Sequence, residues 1–436
     1  MRLLVLLFCL LAGSPFGLVA QHSGQGHCGF DIGVDLLEAQ YPGFRKAAAL
    51  TFQEAKRKHS GIVKRSGEVY TIPVVVHIVW NEPEENLTDE LIESQIDVLN
   101  EDFLRLNPDT ANLRPIFEDR AGNPMIQFEL MGIERVETSS TFATTLAGLP
   151  DNVKQGDDGG SDAWDTESYL NIWVCRLEPL RILGISLGQI LGYAYPPADL
   201  ANWPEDASAP SPELDGVVID YRVFGRNNPN VITIDGLPGP LEVQGRTATH
   251  EVGHYLGLRH IWGDGDPLGL SSSCDADDGI EDTPNTGNQA SFDCDLSRNT
   301  CQDGQDDLPD MIENYMDYSS ESCLNTFTKG QVEILRAVLE GPRCGLINDC
   351  LSTSTQELKK GQSLSVFPNP TQQYLRLQLS DAMLEAFDLK IYSLLGQEQL
   401  CRRIGQNIWV DHLPVGMYTI VASNGNEKYT TTFVRQ

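Results

Sequence analysis

One eleven-residue segment, His250 to His260, constrains the fold more than any other part of the chain. On a helix, His250 and His254 project from the same face, so their two imidazoles can bind one metal ion. His260 cannot reach that ion if the helix continues straight. Gly257 tolerates a left-handed backbone, which would end the helix and turn the chain so that His260 completes a tripod. The segment therefore predicts a helix, a glycine turn and three converging imidazoles.

Three neutral imidazoles with one open position are the usual composition of a catalytic zinc site. Glu251 lies between the first two histidines, where it can reach a water on the metal without binding the metal itself. The expected chemistry is hydrolysis, in which zinc lowers the pKa of its water and Glu251 accepts the proton as general base. A helix with incidental histidines is the alternative, and the glycine and third histidine at fixed offsets make it much the weaker interpretation.

Hydrophobic patterns around this segment predict the scaffold. Tyr70 to Trp80 is an apolar, β-branched run typical of a buried strand, and Thr88 to Arg105 has helical spacing with Thr88 as N-cap. Further strands are expected at Met125–Gly132, Leu170–Arg176, Gly192–Tyr195 and Gly216–Asp220, with helices at Thr247–Leu258 and Lys329–Leu339. Residues 263–325 are rich in Asp, Gly, Cys and Pro, which predicts loops held by disulfides. Together these elements predict a mixed sheet packed on helices.

The histidine segment resembles that of the metzincins, a metallopeptidase clan with HExxHxxGxxH and a downstream methionine turn. The stretch ENYMDY, Glu313 to Tyr318, matches the second element. The resemblance implies that Met316 forms an apolar base beneath the histidines and that Tyr318 hydrogen-bonds the tetrahedral intermediate near the metal. Both residues could instead be ordinary core residues. The fold expected for residues 66–348 is an α+β metzincin-like catalytic domain, with a twisted mixed sheet, helices and a loop-rich, disulfide-stapled lower subdomain.

Within that clan the chain is most similar to the pappalysin family, specifically its bacterial, ulilysin-like members. The matching motifs are HEVGHYLGLRHIW, CDADDGIEDTP and NYMDYSSESCLNTFTKGQ. The resemblance implies a secreted zinc endopeptidase that acts on proteins or peptides. By analogy Cys274 would pair with Cys301 and Cys294 with Cys323, whereas the four cysteines alone permit three connectivities. The rival hypothesis is a surface adhesin or binding protein with an inactive metallopeptidase-like domain, which the intact ligands, base and methionine turn disfavour.

Glu321 is a candidate determinant of specificity. It lies shortly after Met316, in the stretch that lines the primed side of the cleft in metzincins. An acid there would favour Lys or Arg just after the scissile bond, because opposite charges attract strongly in a partly desolvated pocket. The prediction is cleavage on the N-terminal side of basic residues. A solvated surface glutamate is the alternative.

A second metal site is expected in the loop region. Acidic and hydroxyl oxygens crowd together at Asp278, Asp282 and Thr283. Calcium binds six to eight oxygens from flexible loops, and this stretch can supply several of them. No EF-hand loop is present, but pappalysin relatives carry structural calcium nearby. We therefore expect Ca²⁺ as a structural ion beside the catalytic Zn²⁺.

The first residues predict export. Residues 1–20 combine a basic Arg2, an apolar run and small residues before Ala20, which is the pattern of a secretory signal peptide. Residues 21–65 are short and polar and end in a basic stretch, so we interpret them as a propeptide that is cleaved there. An ordered N-terminal extension is the alternative.

Cys28 lies within the predicted propeptide. A thiolate is a strong zinc ligand and could occupy the open position, holding a zymogen inactive as a cysteine switch does. The alternatives are a disulfide to Cys175 or a spare thiol.

The C-terminal part predicts a separate module. Residues 349–359 form a Ser/Thr-rich linker, and residues 360–436 alternate short apolar runs with Pro, Gly and Asn, which favours a small all-β sandwich. VFPNP, LKIYS and LPVGMY resemble the C-terminal sorting domain of type IX (Por) secretion cargo. This implies export across the outer membrane by the type IX machinery, followed by release or attachment to the cell surface. A carbohydrate- or protein-binding sandwich is the alternative.

The net charge restricts the partners. The chain has 62 acidic and 31 basic residues, a formal charge of −31. Nucleic acids and anionic membranes bind basic surfaces, so neither is expected as a partner. No run after the signal peptide is apolar enough to predict a transmembrane segment. The mature protein is expected outside the cell or on its outer surface.

Overall fold

Two compact units make up the chain in the computed structural model, Met1–Cys350 and Leu351–Gln436. The structure describes residues 26–28, 67–145, 148–182, 185–197, 208–234, 237–263, 274–275, 277–304, 307–347, 366–367, 369, 371–377, 387–393, 398–404, 407–423 and 428–436. The predicted signal peptide (1–20), most of the predicted propeptide (21–65) and the predicted linker (349–359) lie outside these residues.

The first unit contains a mixed sheet and helices. In chain order its described elements are β1 Gly26–Cys28, β2 Tyr70–Trp80, α1 Asp89–Phe103, β3 Ala121–Gly122, β4 Ile126–Glu137, β5 Phe142–Ala143, β6 Leu170–Cys175, β7 Leu177–Glu178, β8 Leu180–Ile182, β9 Ile185–Ala194, β10 Val217–Asp220, α2 Arg246–Tyr255, β11 Phe327–Thr328 and α3 Lys329–Leu339. Seven strands form one sheet in the order β1-β9-β10-β6-β2-β4, with β8 paired to β9. β9 runs parallel to β1 and antiparallel to β10, and the pairs from β10 to β4 are parallel. The predicted mixed sheet is confirmed.

β2 lies next to the edge strand β4 and pairs with β6 on its other side. Its apolar run is buried almost throughout, as expected for a strand covered on both faces. Helix α1 begins after Thr88, whose side chain accepts a hydrogen bond from the Leu91 N–H at 3.4 Å. The helix buries Ile92, Ile96, Leu99 and Phe103 on its predicted apolar face. These elements form the core on which α2 lies.

Two predicted strand bounds were wrong. β4 continues to Glu137 instead of ending at Gly132, because it pairs with β2 as far as Trp80. β9 begins at Ile185 instead of Gly192, because it pairs with β8, just before it in the chain, and with β1, which is distant in the sequence. In both cases a partner strand, not the local hydrophobic pattern, sets the length.

The described residues between 274 and 323 contain neither an α-helix nor a β-strand, as predicted. The structure contains both disulfides that the family resemblance implied. Cys274 is bonded to Cys301 with 5.7 Å between their Cα atoms, and Cys294 to Cys323 with 6.0 Å. The second bond joins this loop region to the residues just beyond the methionine turn.

The second unit is all-β. Its described strands are β12 Val366–Phe367, β13 Tyr374–Leu377, β14 Asp388–Ser393, β15 Glu398–Gln399, β16 Arg402–Ile404, β17 Asn407–Trp409, β18 Gly416–Ser423 and β19 Lys428–Arg435. They form two four-stranded sheets, β12-β13-β17-β16 and β15-β14-β18-β19. Leu375 and Ile408 of one sheet share a buried core with Ile391, Ile420 and Phe433 of the other. This arrangement agrees with the predicted two-sheet module.

Candidate active site

Helix α2 carries the first two histidines and ends where the glycine turn begins. It covers Arg246–Tyr255, so the predicted end at Leu258 was too late. Gly257 has φ +91°, its N–H donates to the carbonyl of His254 (2.8 Å), and the Leu258 N–H donates to the carbonyl of Gly253 (2.9 Å). This Schellman pattern ends the helix and redirects the chain toward the third histidine. The predicted left-handed conformation at Gly257 is confirmed.

The three predicted ligands lie together. The Nε2 atoms of His250 and His254 are 3.0 Å apart, and each is 3.1 Å from Nε2 of His260. Nδ1 of His250 lies 2.7 Å from the carbonyl oxygen of Tyr315, and Nδ1 of His254 lies 2.9 Å from that of Leu258. A carbonyl oxygen only accepts hydrogen bonds, so both Nδ1 atoms carry the proton and both Nε2 atoms present a lone pair.

Converging lone pairs of this kind repel one another unless a cation lies between them. All three imidazoles are buried, which removes water as an alternative partner. Burial and the neighbouring His260 and His250 hold the pKa of His254 well below its usual value, so this imidazole is neutral and able to bind metal. The site therefore fits a zinc ion, which binds neutral imidazole nitrogen and takes tetrahedral sites.

Glu251 is buried on α2 and packs closely against β9. A β-carbon built on Gly192 would lie 2.8 Å from Cγ of Glu251 and 3.1 Å from its Oε1. The carboxylate thus occupies space that any other residue at position 192 would fill. The sequence predicted a strand from Gly192 but no role for this glycine, although a glycine inside a strand is a known sign of close backbone approach.

Met316 packs against α2, and Tyr318 lies beside the histidine rings. Met316 is fully buried, and a β-carbon on Gly253 would lie 2.5 Å from its sulfur. The ring of Tyr318 lies 5.5 Å from that of His250 and 5.0 Å from that of His260. Tyr318 therefore lies beside two of the histidines, and Met316 packs against the helix that carries two of them.

Trp262 is a site residue that the sequence analysis did not single out. Its ring stacks on the imidazole of His260 at 4.3 Å with only 8° between the planes. It also contacts the ring of Tyr318 at 4.9 Å. The rings of His260, Trp262 and Tyr318 therefore form one aromatic cluster in mutual contact. The available signal was the aromatic residue two positions after the last histidine of the motif.

A cleft opens beside the histidines. Its lining residues are Leu191, Val223, Leu241, Glu242, Val243, Arg246, Thr247, His250, Glu251, Phe292, Asp317, Tyr318, Ser319, Ser320, Glu321 and Leu324. The lining combines apolar side chains with the carboxylates of Glu242, Asp317 and Glu321. Such a cleft can hold an extended peptide beside the proposed metal position.

Glu321 lies on the wall of this cleft and also caps α2. Its carboxylate accepts hydrogen bonds from the Arg246 N–H (3.1 Å), the Thr247 N–H (2.8 Å) and the Thr247 hydroxyl (2.7 Å). The N–H of Gln244 is a further donor. A negative charge at a helix N-terminus is favourable because it meets unpaired N–H groups and the positive end of the helix dipole.

The predicted calcium stretch contains buried oxygens without hydrogen-bond donors. Oδ2 of Asp278, Oδ1 of Asp282, Oγ1 of Thr283 and Oδ1 of Asn285 are all of this kind. Burial raises the pKa of Asp278 to about 8. Buried oxygens are normally paired, and a hard cation that takes oxygen ligands would satisfy them. Asn285 was not among the predicted ligands.

The backbone of β1 brings Cys28 beside the site. β1 pairs in parallel with β9, and Cys28 is opposite Gly192. The side chain of Cys28 lies outside the described residues. Burial raises the pKa of the Cys175 thiol. This thiol is free, so the alternative disulfide between Cys28 and Cys175 is absent.

No helix within the described ranges has the length and apolar character required to cross a membrane.

Comparison with known families agrees with this geometry. Residues 241–340, which contain the histidines and the methionine turn, match the family described as pregnancy-associated plasma protein-A. Residues 365–436 match the secretion system C-terminal sorting domain.

Solved structures extend the similarity to most of the first unit. Mature mirolysin from Tannerella forsythia, in complex with a cleaved peptide, is 40% identical, covers 64% of this chain and 96% of its own, and superposes with a TM-score of 0.53. A promirolysin mutant from the same organism is 36% identical, covers 74% of this chain and 97% of its own, and has a TM-score of 0.58.

Curated relatives are also similar. An extracellular metalloprotease of Pyricularia oryzae is 28% identical over 330 residues, covering 74% of this chain and 92% of the relative. One from Arthroderma otae is 36% identical over 146 residues, and the aligned part spans 50% of that relative. Fold, histidine cluster and matches together define a zinc metalloendopeptidase. This chain belongs to the pappalysin family of these enzymes, and its sorting domain marks it as secreted or attached to the outer cell surface.

Proposed function

We propose that the chain hydrolyses peptide bonds at a metzincin-type zinc site formed by His250, His254 and His260. The observation that supports this most directly is that the three Nε2 atoms lie within 3.0–3.1 Å of one another. In two of the histidines, His250 and His254, Nδ1 donates its proton to a backbone carbonyl. Zinc bound there would supply a Lewis acid and lower the pKa of water.

Glu251 is the proposed general base. It would accept a proton from the attacking water and return it to the leaving amine, and its contact with Gly192 fixes the carboxylate while it does so. Tyr318 is proposed to donate a hydrogen bond to the developing oxyanion, since its ring lies beside two of the histidines. Met316 is proposed as the apolar base under the imidazoles.

The direct test is Glu251→Ala in the purified full chain. We expect zinc content at the wild-type level and a loss of turnover of about 10²-fold or more, because the base acts in proton transfer and not in metal binding. Glu118→Ala removes an exposed glutamate and serves as the control. Retained activity in Glu251→Ala, or a wild-type protein without zinc, would end the assignment.

We further propose a preference for Lys or Arg directly after the scissile bond. Three carboxylates on the cleft wall support it, namely Glu242, Asp317 and Glu321. Arg246 is the nearby cation, and its ion pair with Asp109 at 2.6 Å offsets its charge. Cleavage-site mapping with a peptide library should show basic residues at that position. A profile without basic enrichment would contradict the proposal.

Latency through residues 21–65 is proposed as well, with Cys28 as the blocking ligand. The support is the register of β1, which aligns Cys28 with the glycine that contacts the proposed base. We expect Cys28→Ala to produce a precursor that activates faster than the wild type. Equal activation rates would leave the strand itself, and not the thiol, as the source of latency.

The unpartnered oxygens around Asp278 support a structural calcium ion held by Asp278, Asp282 and Thr283. Calcium binds such oxygen sets, and a buried carboxylate with a raised pKa becomes ionised when a cation lies beside it. This ion is proposed to hold the loop region under α3, where the second oxygen of Asp282 accepts a hydrogen bond from the Gly330 N–H (2.9 Å).

The proposed processing scheme has five segments: signal peptide 1–20, propeptide 21–65, catalytic domain 66–348, linker 349–359 and sorting domain 360–436. The match at 365–436 supports the last of these. Truncation at Ser352 should block export while peptidase activity in the cell is retained. Normal export of the truncated chain would favour a binding role for the module.

A surface adhesin with an inactive metallopeptidase-like domain is not favoured. The three imidazoles converge, and His250, Glu251 and Tyr318 line one cleft beside them. The relatives are described as extracellular metalloproteases.

A further inference from the structure

Asp102 is a buried carboxylate near the end of α1 that has no part in the proposed hydrolysis. Its Oδ1 accepts a hydrogen bond from the Tyr315 hydroxyl (2.7 Å), and its Oδ2 accepts one from the Thr249 hydroxyl (2.8 Å). Arg246 lies 3.5 Å from Oδ1 and offsets the buried charge. Burial raises the pKa of Asp102 to about 6, so at neutral pH the group is mostly ionised and accepts both bonds.

Both hydroxyl partners are directly connected to His250. Thr249 precedes His250 on α2, and the carbonyl of Tyr315 accepts the hydrogen bond from Nδ1 of His250 (2.7 Å). A single carboxylate therefore joins the helix that carries this imidazole to the turn that orients it. His254 is oriented differently, by a carbonyl within its own glycine turn.

We propose that Asp102 is a positioning residue of the metal centre: through Thr249 and Tyr315 it fixes His250 so that the three imidazoles stay converged. This inference rests on the proposed zinc ligation by His250. Groups that hold a metal-binding histidine from behind typically contribute about 10- to 100-fold to metal affinity or activity. Asp102 does not contact His250 directly, but it binds the hydroxyls of both Thr249 and Tyr315, the two residues connected to that histidine.

The test is Asp102→Asn in the purified full chain. An amide retains one acceptor oxygen and places a donor against the other hydroxyl, so one of the two bonds is weakened. We expect zinc to pass to a chromogenic chelator about tenfold faster than from the wild type. In the same preparation kcat should fall by a larger factor than KM rises, since Asp102 itself does not line the cleft and Arg246 keeps its ion pair with Asp109.

The matched control is Asp220→Asn on β10. Asp220 is also a buried carboxylate, paired with Arg222 at 2.7 Å, and it belongs to neither the cleft nor the histidine segments. It should lower thermal stability and leave the rate of zinc transfer at the wild-type value. A change of rate in both variants would mean that Asp102 acts only through general stability, which overturns the inference.

A second variant covers the case in which Asp102→Asn does not fold. Tyr315→Phe removes one hydroxyl and keeps the carbonyl that binds His250, so faster zinc transfer is expected again, to a smaller degree. Wild-type transfer rates in the folded variants would overturn the inference. A wild-type chain that binds no zinc would instead overturn the proposed ligation, so the two failures are distinguishable.

Discussion

Gly253 of α2 and Met316 meet with no space for a β-carbon between them. One built on Gly253 would lie 2.5 Å from the sulfur of Met316. The methionine turn reaches α2 only because this helical position has no side chain. Methionine suits the contact, since its unbranched thioether fills an irregular gap.

Gly253→Ala should therefore destabilise the protein, although alanine is the better helix former. Helix propensity would contribute about 1 kcal/mol in favour of alanine, and overpacking typically costs about 1–3 kcal/mol. We expect a lower Tm and weaker zinc retention, measured by thermal unfolding with and without chelator. Gly239→Ala is the control, because nothing lies within 4 Å of the new β-carbon. A Gly253→Ala protein as stable as the wild type would show that Met316 can move away.

Gly192→Ala should impair catalysis and leave the metal in place. The new β-carbon would lie 2.8 Å from Cγ of Glu251 and 2.9 Å from the carbonyl oxygen of Val218. Since the backbone oxygen cannot move easily, the Glu251 side chain has to shift. We expect kcat to fall by about tenfold or more at unchanged zinc content, because a small displacement of a catalytic group is costly. Unchanged kcat would mean that the base reaches the water from another position.

Glu321→Gln should lower stability through the N-terminus of α2. The amide loses the charge that interacts with the helix dipole and places a donor where N–H groups already point. A loss of about 0.5–1 kcal/mol is expected, measured by denaturant unfolding. Glu242→Gln removes an exposed carboxylate from the same cleft and should be neutral. Equal stability in both variants would show that the cap contributes little.

Calcium should raise the Tm, and Asp278→Asn should reduce that increase. A ligand that binds only the folded chain stabilises it by about 2.7 kcal/mol at a concentration 100 times its Kd. Asp275→Asn changes an exposed acid in the same loop and serves as the control. A Tm that does not respond to calcium or to chelation would contradict the proposed ion.

Because His77 is buried, we expect the protein to lose stability at mildly acid pH. It is fully buried, with Nδ1 2.9 Å from the Ser161 hydroxyl and Nε2 2.9 Å from Oδ1 of Asn171, and burial lowers its pKa. Below about pH 6.5 the unfolded chain binds a proton that the folded chain does not, so the free energy of unfolding falls as the pH falls. The slope from this group is at most about 1.4 kcal/mol per pH unit.

The measurement compares the wild type with His77→Gln from pH 7.5 to 5.5. The difference in free energy of unfolding between the wild type and His77→Gln should shrink as the pH decreases, because only the wild type has the titrating group. Parallel curves for the two proteins would show that His77 is not the source of the pH dependence.

Local patterns predicted the elements whose apolar residues are recognisable in the sequence. β2 and α3 occur at the predicted bounds, and α1 has the predicted cap at Thr88. The histidine segment was also predictable, because helix geometry and the glycine turn are local properties. The disulfides were accessible only through family resemblance, since spacing alone leaves the pairing open.

The remaining features depend on contacts between distant segments. Part of the extra length of β9 comes from its pairing with the distant β1, and the roles of Gly192 and Gly253 come from side chains on other elements. Asp102 looks like an ordinary helical acid in the sequence, and only the fold brings it to Tyr315. Such positions have no periodic signal of their own.

The pairing of β1 with β9 has a consequence for the timing of the activation proposed above. A covalent connection raises the local concentration of the proposed blocking segment at β9 to about the millimolar range. Once any peptide bond between Cys28 and β2 is cut, the raised local concentration is lost and the fragment that contains β1 can diffuse away. The precursor would then behave as a tethered complex, and a nicked sample should gain activity simply on dilution.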